Sequence, residues 1–395
     1  MKILISAFTG FNYRELLLPL SPFLDKDHEV TSVIVATPAA TFHTELLPDL
    51  GAKYVFIPEQ KNQTDYEKVI QTYRPDICVT PTAGLEPRDI PLIKAARSLN
   101  IPTLTFVASW DNAYKMERLM TLSKYKQHYA LADHFAVWNE INRQHLLKIT
   151  PLKTEQVTIV GAPRLDYLVS RNLPDRSELL KRFNVPAESK LIHIATTELY
   201  SSDYLVKALA AERGQGLPGD IQLLVSVHPG GNLAAHQRYA APSGAHVFYS
   251  FGRRQTSPVP DFMYAPALGD LMMHAALFKH SDVLINHSST VTIESILADR
   301  PVVTVKYGRP FDWWRWRRSM VYRDFQQHAK IIIESGATQV VKSRGQLIQA
   351  CRRYLPDPGL HHAERSALTR QLVPNAGGAG RRLLDLIKKV AILSR

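Results

Sequence analysis

Short apolar segments alternate with helical segments along the first half of the chain. The apolar segments include "KILISAF" from Lys2, "EVTSVIVAT" up to Thr37 and "DICVTP" around Cys78. Runs that are apolar throughout, rather than at alternate positions, are typical of strands in parallel sheets covered on both faces. The pattern therefore predicts a parallel α/β domain in which helices separate successive strands.

The same alternation begins again in the second half. The segments "LIHIATT", "IQLLVSV", "HVFYS", "DVLIN" and "PVVTV" are predicted to be strands, with helical segments between them. We therefore predict two doubly wound, Rossmann-like α/β domains facing each other across a cleft. The first domain is expected to contain residues 1–172 and the second residues 173–370. Residues 371–395 follow a break rich in Gly and Pro and are predicted to hold one further helix.

Length, composition and charge narrow the class of protein. The chain has 395 residues, which is more than one ordinary core accommodates. Hydrophobic residues make up 45%, which excludes a disordered chain. Lys and Arg number 48 against 36 Asp and Glu, for a net charge of +12. That charge attracts an anionic partner, and nucleic acid, an acidic membrane surface and a nucleotide-activated substrate all fit.

The sequence favours a cytoplasmic protein. Cys78 and Cys351 lack the spacing of metal ligands and are expected to be buried thiols rather than a disulfide. The N-terminal apolar run is short and polar residues follow at once, which indicates a strand rather than a signal peptide. Since no uncharged apolar stretch approaches the ~18 residues of a membrane span, any membrane contact is expected to be peripheral, on the cytoplasmic face.

The first candidate for chemistry follows the strand "IQLLVSV". His228, Pro229, Gly230 and Gly231 come directly after it. An imidazole at a strand end can donate to a phosphate oxygen, and glycines let the backbone approach closely. The alternative is a plain turn, because His-Pro before two glycines is also suitable turn chemistry.

The second candidate is "HSST", between the strand "DVLIN" and a helix. Ser288, Ser289 and Thr290 would surround the N-terminus of this helix, where unpaired N–H groups bind anions. Glu294 comes about one turn later and could hold a ribose diol. The alternative is an N-cap, which one hydroxyl can provide for ~1 kcal/mol without any ligand.

The third candidate is Asp111 in "VASWDNAYK". It follows the fifth predicted strand and could act as general base toward an acceptor hydroxyl. The alternative is that Asp111 caps the next segment, since Asp-Asn is a common turn pair.

Weaker candidates lie at other strand ends. Glu198 follows "LIHIATT", and Gly10 lies in the first loop, which lacks the dinucleotide fingerprint. Arg164 could reach the cleft or form a salt bridge with Asp166 or its surroundings.

The segment "RPFDWWRWRRSMVYR", which begins at Arg309, interleaves Arg with Trp. Such a segment suits a membrane interface, stacking on nucleic acid, a cleft loop that receives an anionic ligand, or a core with solvated arginines. We rank the cleft and the membrane edge ahead of nucleic acid, because no recognisable RNA-binding module is present.

Taken together, "SVHPGG", "NHSSTVTIESILADRPVV" and the last helix resemble B-type (GT-B) glycosyltransferases. The likeness is closest to bacterial surface-polysaccharide enzymes, namely CDP-glycerol glycerophosphotransferases and transferases that use CMP-sugars. It implies that His228, Pro229 and the Ser288–Thr290 hydroxyls serve the donor phosphate. It also implies that the last helix returns to the first domain. Glycerophosphotransferases carry a His base in the first domain, where this chain has "SWDN".

The expectation is a transferase that moves a glycosyl or glycerophosphate group from a CMP-, CDP- or UDP-linked donor. The acceptor would be a surface glycan or its lipid-linked precursor, with residues 1–172 binding the acceptor and residues 173–370 the donor. No metal or further cofactor is expected. Two alternatives stay open: a non-hydrolysing UDP-sugar 2-epimerase, and a non-catalytic basic protein that binds membrane or nucleic acid.

Overall fold

The computed structural model describes residues 1–37, 53–81, 88–121, 130–169, 172–240, 244–250, 266–287 and 289–393. The chain divides into two compact units. Unit 1 contains Met1–Asp166 and Leu372–Arg395, and unit 2 contains Tyr167–Gly252 and Gly269–Gln371. The sequence also favours a helix around residues 41–50, but these residues lie outside the described ranges.

Unit 1 is built on a parallel sheet. Its described strands are β1 (Lys2–Ser6), β2 (Ser32–Thr37), β3 (Tyr54–Pro58), β4 (Ile77–Thr80), β5 (Thr103–Phe106), β6 (His134–Val137) and β7 (Val157–Ile159). They lie in the order β3-β2-β1-β4-β5-β6-β7, and every neighbouring pair is parallel. In β1, Ile3, Leu4 and Ile5 are all buried, so both faces of the strand are covered. The predicted doubly wound sheet is confirmed.

Helices cover both faces of this sheet. They are α1 (Gly10–Asn12), a π-helical turn (Tyr13–Leu17), α2 (Leu18–Lys26), α3 (Gln63–Tyr73), α4 (Asp89–Ser98), α5 (Asn112–Thr121) and α6 (Glu140–Ile149). Two short 3₁₀ segments span Thr154–Gln156 and Pro163–Val169.

Pro22 lies inside α2, and the helix continues past it. A proline has no N–H to donate to the carbonyl four residues earlier, which here belongs to Leu18. The hydroxyl of Ser21 donates to that carbonyl at 2.9 Å instead. The helix therefore continues to Lys26.

The last helix, α17 (Ala379–Leu393), packs on unit 1, as the resemblance implied. Its N-terminal Gly380 N–H donates to Asp166 at 2.9 Å. Gly380 also permits a close approach to α2, because a Cβ at this position would lie 2.7 Å from the ring of Phe23 and from the Pro19 carbonyl. Further along, Lys388 pairs with Asp27 at 3.1 Å.

Unit 2 is built on a second parallel sheet. Its described strands are β8 (Leu191–Ala195), β9 (Gln222–Val227), β10 (His246–Tyr249), β11 (Val283–Asn286), β12 (Val302–Val305) and β13 (Gln339–Val341). They lie in the order β10-β9-β8-β11-β12-β13, with parallel pairing throughout. This is the strand order of a Rossmann sheet.

The helices of unit 2 lie before, between and after these strands. They are α7 (Arg176–Arg182), α8 (Asp203–Glu212), α9 (Leu233–Gln237), α10 (Leu268–His280), α11 (Thr290–Leu297), α12 (Trp313–Arg318), α13 (Met320–Asp324), α14 (Lys330–Glu334), α15 (Arg344–Tyr354) and α16 (His362–Leu372).

The strand order of unit 2 identifies where a ligand is expected. Strand order reverses between β8 and β11, which pair directly. In open α/β sheets, ligands bind outside the carboxyl ends of the strands at such a switch point. The loops that follow β8 and β11 therefore flank the expected crevice, with the turn after β9 and the loop after β12 on either side.

Candidate functional site

The turn after β9 holds His228 through its backbone and its ring. The His228 N–H donates to Thr196 Oγ1 at 2.9 Å, and its Nδ1 accepts from the Gly230 N–H at 3.2 Å. A neutral imidazole that accepts at Nδ1 carries its proton on Nε2. The turn interpretation and the ligand interpretation are therefore compatible, because turn formation itself makes Nε2 a donor.

Glu198 joins this turn from the loop after β8. Its Oε2 lies 3.5 Å from His228 Nδ1. A Cβ at Gly230 would clash with the Glu198 carboxylate, so the glycine is what allows the carboxylate to lie over the turn. The structure thus brings two separate sequence candidates together, the His228 turn and Glu198, because β8 and β9 are neighbours in the sheet.

The start of α11 carries the "HSST" hydroxyls. Ser289 occupies the N-cap position with extended backbone, φ −158° and ψ 177°, yet its side chain makes no capping hydrogen bond. The Thr292 N–H donates instead to the Ser289 carbonyl at 2.9 Å. Asn286 Nδ2 donates to Thr292 Oγ1 at 2.8 Å, which ties the end of β11 to the first turn of the helix. Ser288 lies outside the described residues. Ser289 thus has the position of a cap without its side-chain bond.

Glu294 lies one turn into α11 and is buried. His274 on α10 contacts it, with Nε2 3.2 Å from Glu294 Oε2. This contact orients the carboxylate from within unit 2, and the predicted role on a ribose stays a prediction. Sequence reasoning did not identify His274, which is one of several His residues in apolar surroundings.

His287, directly before the hydroxyl run, is fully buried, and this burial lowers its pKa to about 3. The ring is therefore neutral at physiological pH. Tyr204 donates its hydroxyl proton to the Tyr307 carbonyl at 2.6 Å, so it can only accept from His287 Nε2–H at 2.7 Å. Ser202 then donates to Nδ1 at 3.2 Å. This network locks the end of β11 to the loops after β8 and β12, and the sequence did not reveal it.

Arg309 belongs to the same edge of the sheet. Its N–H donates to the Tyr200 hydroxyl at 2.9 Å, and its guanidinium contacts Ser201 at 2.9 Å and the carboxylate of Asp203. Burial raises the pKa of Asp203, but the hydrogen bonds from Ser201 and Arg309 outweigh it and leave that pKa below its ordinary value. Arg309 thus fixes the loop after β8 while its side chain stays 39% exposed.

In unit 1, Asp111 precedes α5 and is largely buried. One carboxylate oxygen accepts from Ser109, and the other lies 2.6 Å from Lys115 Nζ. The Asp111 carbonyl accepts the first helical N–H groups, from Tyr114 and Lys115. The backbone of Asp111 therefore begins α5, and both the capping role of its side chain and its role as base stay predictions. Trp110 is 2% exposed and fills the core.

The two remaining candidates have local partners in unit 1. Gly10 is the first residue of α1, which Thr9 caps through a hydrogen bond from the Asn12 N–H at 3.2 Å. Arg164 forms a buried ion pair with Glu15 at 2.6 Å. Asp166, the partner suggested by sequence, accepts from the last helix instead.

No three His, Cys, Asp or Glu side chains within the described ranges come together in a way that could hold a metal ion. Cys78 and Cys351 are both free and buried, and burial raises the pKa of each thiol.

The family model of CDP-glycerol:poly(glycerophosphate) glycerophosphotransferases matches residues 109–387. This range covers more than half of the chain and includes every donor-site candidate in unit 2. The chain belongs to this family. Membership in the glycerophosphotransferase family confirms the predicted enzyme class, a transferase that uses a nucleotide-activated donor.

Solved structures with the same fold have low sequence identity to this glycerophosphotransferase-family chain. The UDP co-structure of MnaA from S. aureus is 17% identical, with a TM-score of 0.63 over 99% of this chain and 97% of the other. The UDP-GlcNAc 2-epimerase from Neisseria meningitidis, bound to UDP-GlcNAc, is 13% identical, with 0.67 over 98% and 100%. A glycosyltransferase from Rickettsia africae is 15% identical, with 0.58 over 98% of both chains. These likenesses confirm the GT-B-like α/β fold. None of the curated protein sequences matches the chain.

Proposed function

We propose that this chain transfers glycerol phosphate from CDP-glycerol to a hydroxyl of a surface glycan or of its lipid-linked precursor. The observation that carries the proposal is the family match over residues 109–387, since this range contains both the His228 turn and the start of α11. Such an acceptor would bring the enzyme to the cytoplasmic face of a membrane.

The proposed reaction is a substitution at the phosphorus that carries glycerol. The acceptor oxygen forms a new P–O bond, the P–O bond to CMP breaks, and CMP departs with the electron pair. The acceptor proton goes to a base, for which Asp111 is the candidate. The Asp111 carboxylate lies 2.6 Å from Lys115 Nζ. To act as base, it would have to leave this lysine and accept a hydrogen bond from the acceptor hydroxyl.

Unit 2 offers the groups that such a leaving phosphate needs. The N-terminus of α11 presents helix N–H groups, and Ser289 adds a hydroxyl without a capping bond. His228 adds an Nε2–H donor. Because negative charge grows on CMP as it departs, donors fixed in advance stabilise the transition state more than the ground state. We propose that these groups, with no metal or further cofactor, hold the donor diphosphate.

A nucleotide panel tests the proposal. CDP-glycerol, CDP, CMP, UDP-GlcNAc and GDP are compared by thermal shift, and CDP-glycerol and CDP are expected to raise the melting temperature. Stabilisation by UDP-GlcNAc alone, with epimerisation of that sugar, would replace the proposed function by the epimerase alternative. No stabilisation by any of the five at millimolar concentration would remove the donor site.

A further inference from the structure

Three large aromatic side chains of unit 2 are exposed to solvent. Phe311 is 100% exposed, Trp313 68% and Trp314 49%. Phe311 also has a φ of 61°, in the left-handed region that a phenylalanine occupies only at a cost in free energy. Large aromatic side chains exposed at three of four successive positions on a folded protein suggest a contact surface.

These rings lie on a firmly anchored segment, Arg309–Arg323, which we call the aromatic–arginine segment. Its Trp316 is buried, with the ring centroid 5.2 Å from Tyr200 and 5.6 Å from His287. Gly308 permits this packing, since a Cβ there would lie 2.8 Å from Trp316 Cβ. The segment that carries the exposed rings is therefore anchored beside the candidate donor site through Trp316.

Positive charge surrounds the exposed rings. Arg315, Arg317 and Arg318 lie on α12 together with Trp313 and Trp314. The guanidinium of Arg318 lies over the ring of Trp314, 5.3 Å from its centroid. Tryptophan with arginine is the composition of interfacial membrane contacts, where rings enter the headgroup region and guanidinium groups bind lipid phosphates.

We infer that the aromatic–arginine segment docks unit 2 on an anionic lipid bilayer. Phe311, Trp313 and Trp314 would enter the interfacial layer, and the arginines would pair with lipid phosphates. Single-stranded nucleic acid fits less well, because stacking of bases needs open ring faces and Arg318 covers one face of Trp314. Among the helices of the described ranges, none is long and apolar enough to cross a bilayer, so this contact would be peripheral.

The docking inference adds a partner to the proposed function and rests on different observations. Nucleotide binding can therefore fail while docking succeeds, and the reverse is equally possible. Each result is read from its own assay, one with nucleotides and one with vesicles.

Tryptophan fluorescence of the full chain tests the inference directly. Of the five tryptophans, Trp110, Trp138 and Trp316 are buried, so a spectral change on docking reports on Trp313 and Trp314. Vesicles of phosphatidylcholine with phosphatidylglycerol should shift the emission to the blue, and brominated lipid should quench it. Vesicles of phosphatidylcholine alone should do neither. An unchanged spectrum with the anionic vesicles would overturn the inference.

Variants then assign docking to the segment by vesicle sedimentation. The triple variant Phe311→Ser, Trp313→Ser, Trp314→Ser should lose at least about tenfold in partitioning, and Arg317→Glu should lose about fivefold or more. The matched control is Ile392→Ser with Leu393→Ser, because these side chains are each 68% exposed but lie in unit 1. Unchanged partitioning of the triple variant, or an equal loss in the control, would refute the assignment. So would single-stranded RNA that binds the segment more tightly than the anionic vesicles do.

Discussion

The carboxylate of Glu198 lies 3.5 Å from Nδ1 of His228, although the two residues come from different strand ends. Neighbouring strands β8 and β9 bring them together, and Gly230 leaves the space that the carboxylate occupies. The Gly230 N–H donates to Nδ1 and orients the ring, and the Glu198 carboxylate lies beside the same nitrogen. This arrangement fixes the imidazole at the strand end where we propose that its Nε2–H donates a hydrogen bond to the phosphate of the nucleotide donor.

Gly230→Ala tests that relationship. The added Cβ would clash with the carboxylate of Glu198, whose side chain is 50% exposed and can swing into solvent, so folding should be retained. We expect weaker binding of the donor nucleotide, by roughly 1 kcal/mol, measured by calorimetry. In a Glu198→Ala background the same substitution should have little further effect, because the displaced group is already gone. Additive losses in the double variant would show that Gly230 acts independently of Glu198.

Ser289→Ala separates capping from ligand binding. Because the Ser289 side chain makes no capping hydrogen bond, its loss should leave the free energy of unfolding within about 0.5 kcal/mol of the parent. Donor affinity should fall by ~1–3 kcal/mol. Ser343→Ala is the matched control, since Ser343 does cap α15, accepting from the Gln346 N–H, and its loss should cost ~1 kcal/mol of stability. A stability loss in Ser289→Ala as large as in the control, with donor affinity unchanged, would return Ser289 to the capping interpretation.

Acid should destabilise the protein through two buried histidines. Burial lowers the pKa of His193 and of His287 to about 3, against about 6.5 in an unfolded chain. Below pH of about 6.5 the unfolded state therefore binds protons that the folded state does not, and stability is lost as the pH falls toward 3. The expected slope is about 1.4 kcal/mol per pH unit for each histidine.

Urea unfolding between pH values of about 6.5 and 5 measures this slope, in a range where most carboxylates stay ionised. His287→Gln should lower this slope by about 1.4 kcal/mol per pH unit, the contribution of one histidine. An equal slope in that variant would mean that His287 is already protonated in the folded protein.

Asp111→Asn tests the proposed base. Asparagine is also a good N-cap, so α5 should remain stable, and donor binding in unit 2 should be unchanged. Turnover should fall by ~10²-fold or more if Asp111 accepts the proton of the acceptor hydroxyl. Lys115→Met serves as control, because it removes the partner at 2.6 Å while leaving the carboxylate in place, and it should keep more activity than Asp111→Asn. Full turnover in Asp111→Asn would leave capping as the function of this residue.

The fold could be predicted because parallel strands that are covered on both faces consist almost entirely of apolar residues. The apolar runs at β1, β9 and β11 mark their strands directly, and the one further helix predicted within residues 371–395 is α17, Ala379–Leu393. Helix α12 was missed, since Trp and Arg in alternation carry no clear period and five of its six residues are exposed.

The candidate site was predicted less completely, because its contacts join residues far apart in the chain. The pair of Glu198 with His228 depends on strand adjacency, and the pair of His274 with Glu294 depends on the packing of α10 against α11. The pair of Asp111 with Lys115 could have been found, since a carboxylate and a lysine four residues apart at a helix start commonly pair.

The central claim is that unit 2 holds a CDP-linked donor for transfer. Release of CMP from CDP-glycerol, with incorporation of labelled glycerol phosphate into lipid-linked acceptors, measures it most directly. The parent should release CMP and label the acceptor in equal amounts, and His228→Ala should do both at least about tenfold more slowly. Absence of CMP release by the parent, or equal release by His228→Ala, would contradict the account.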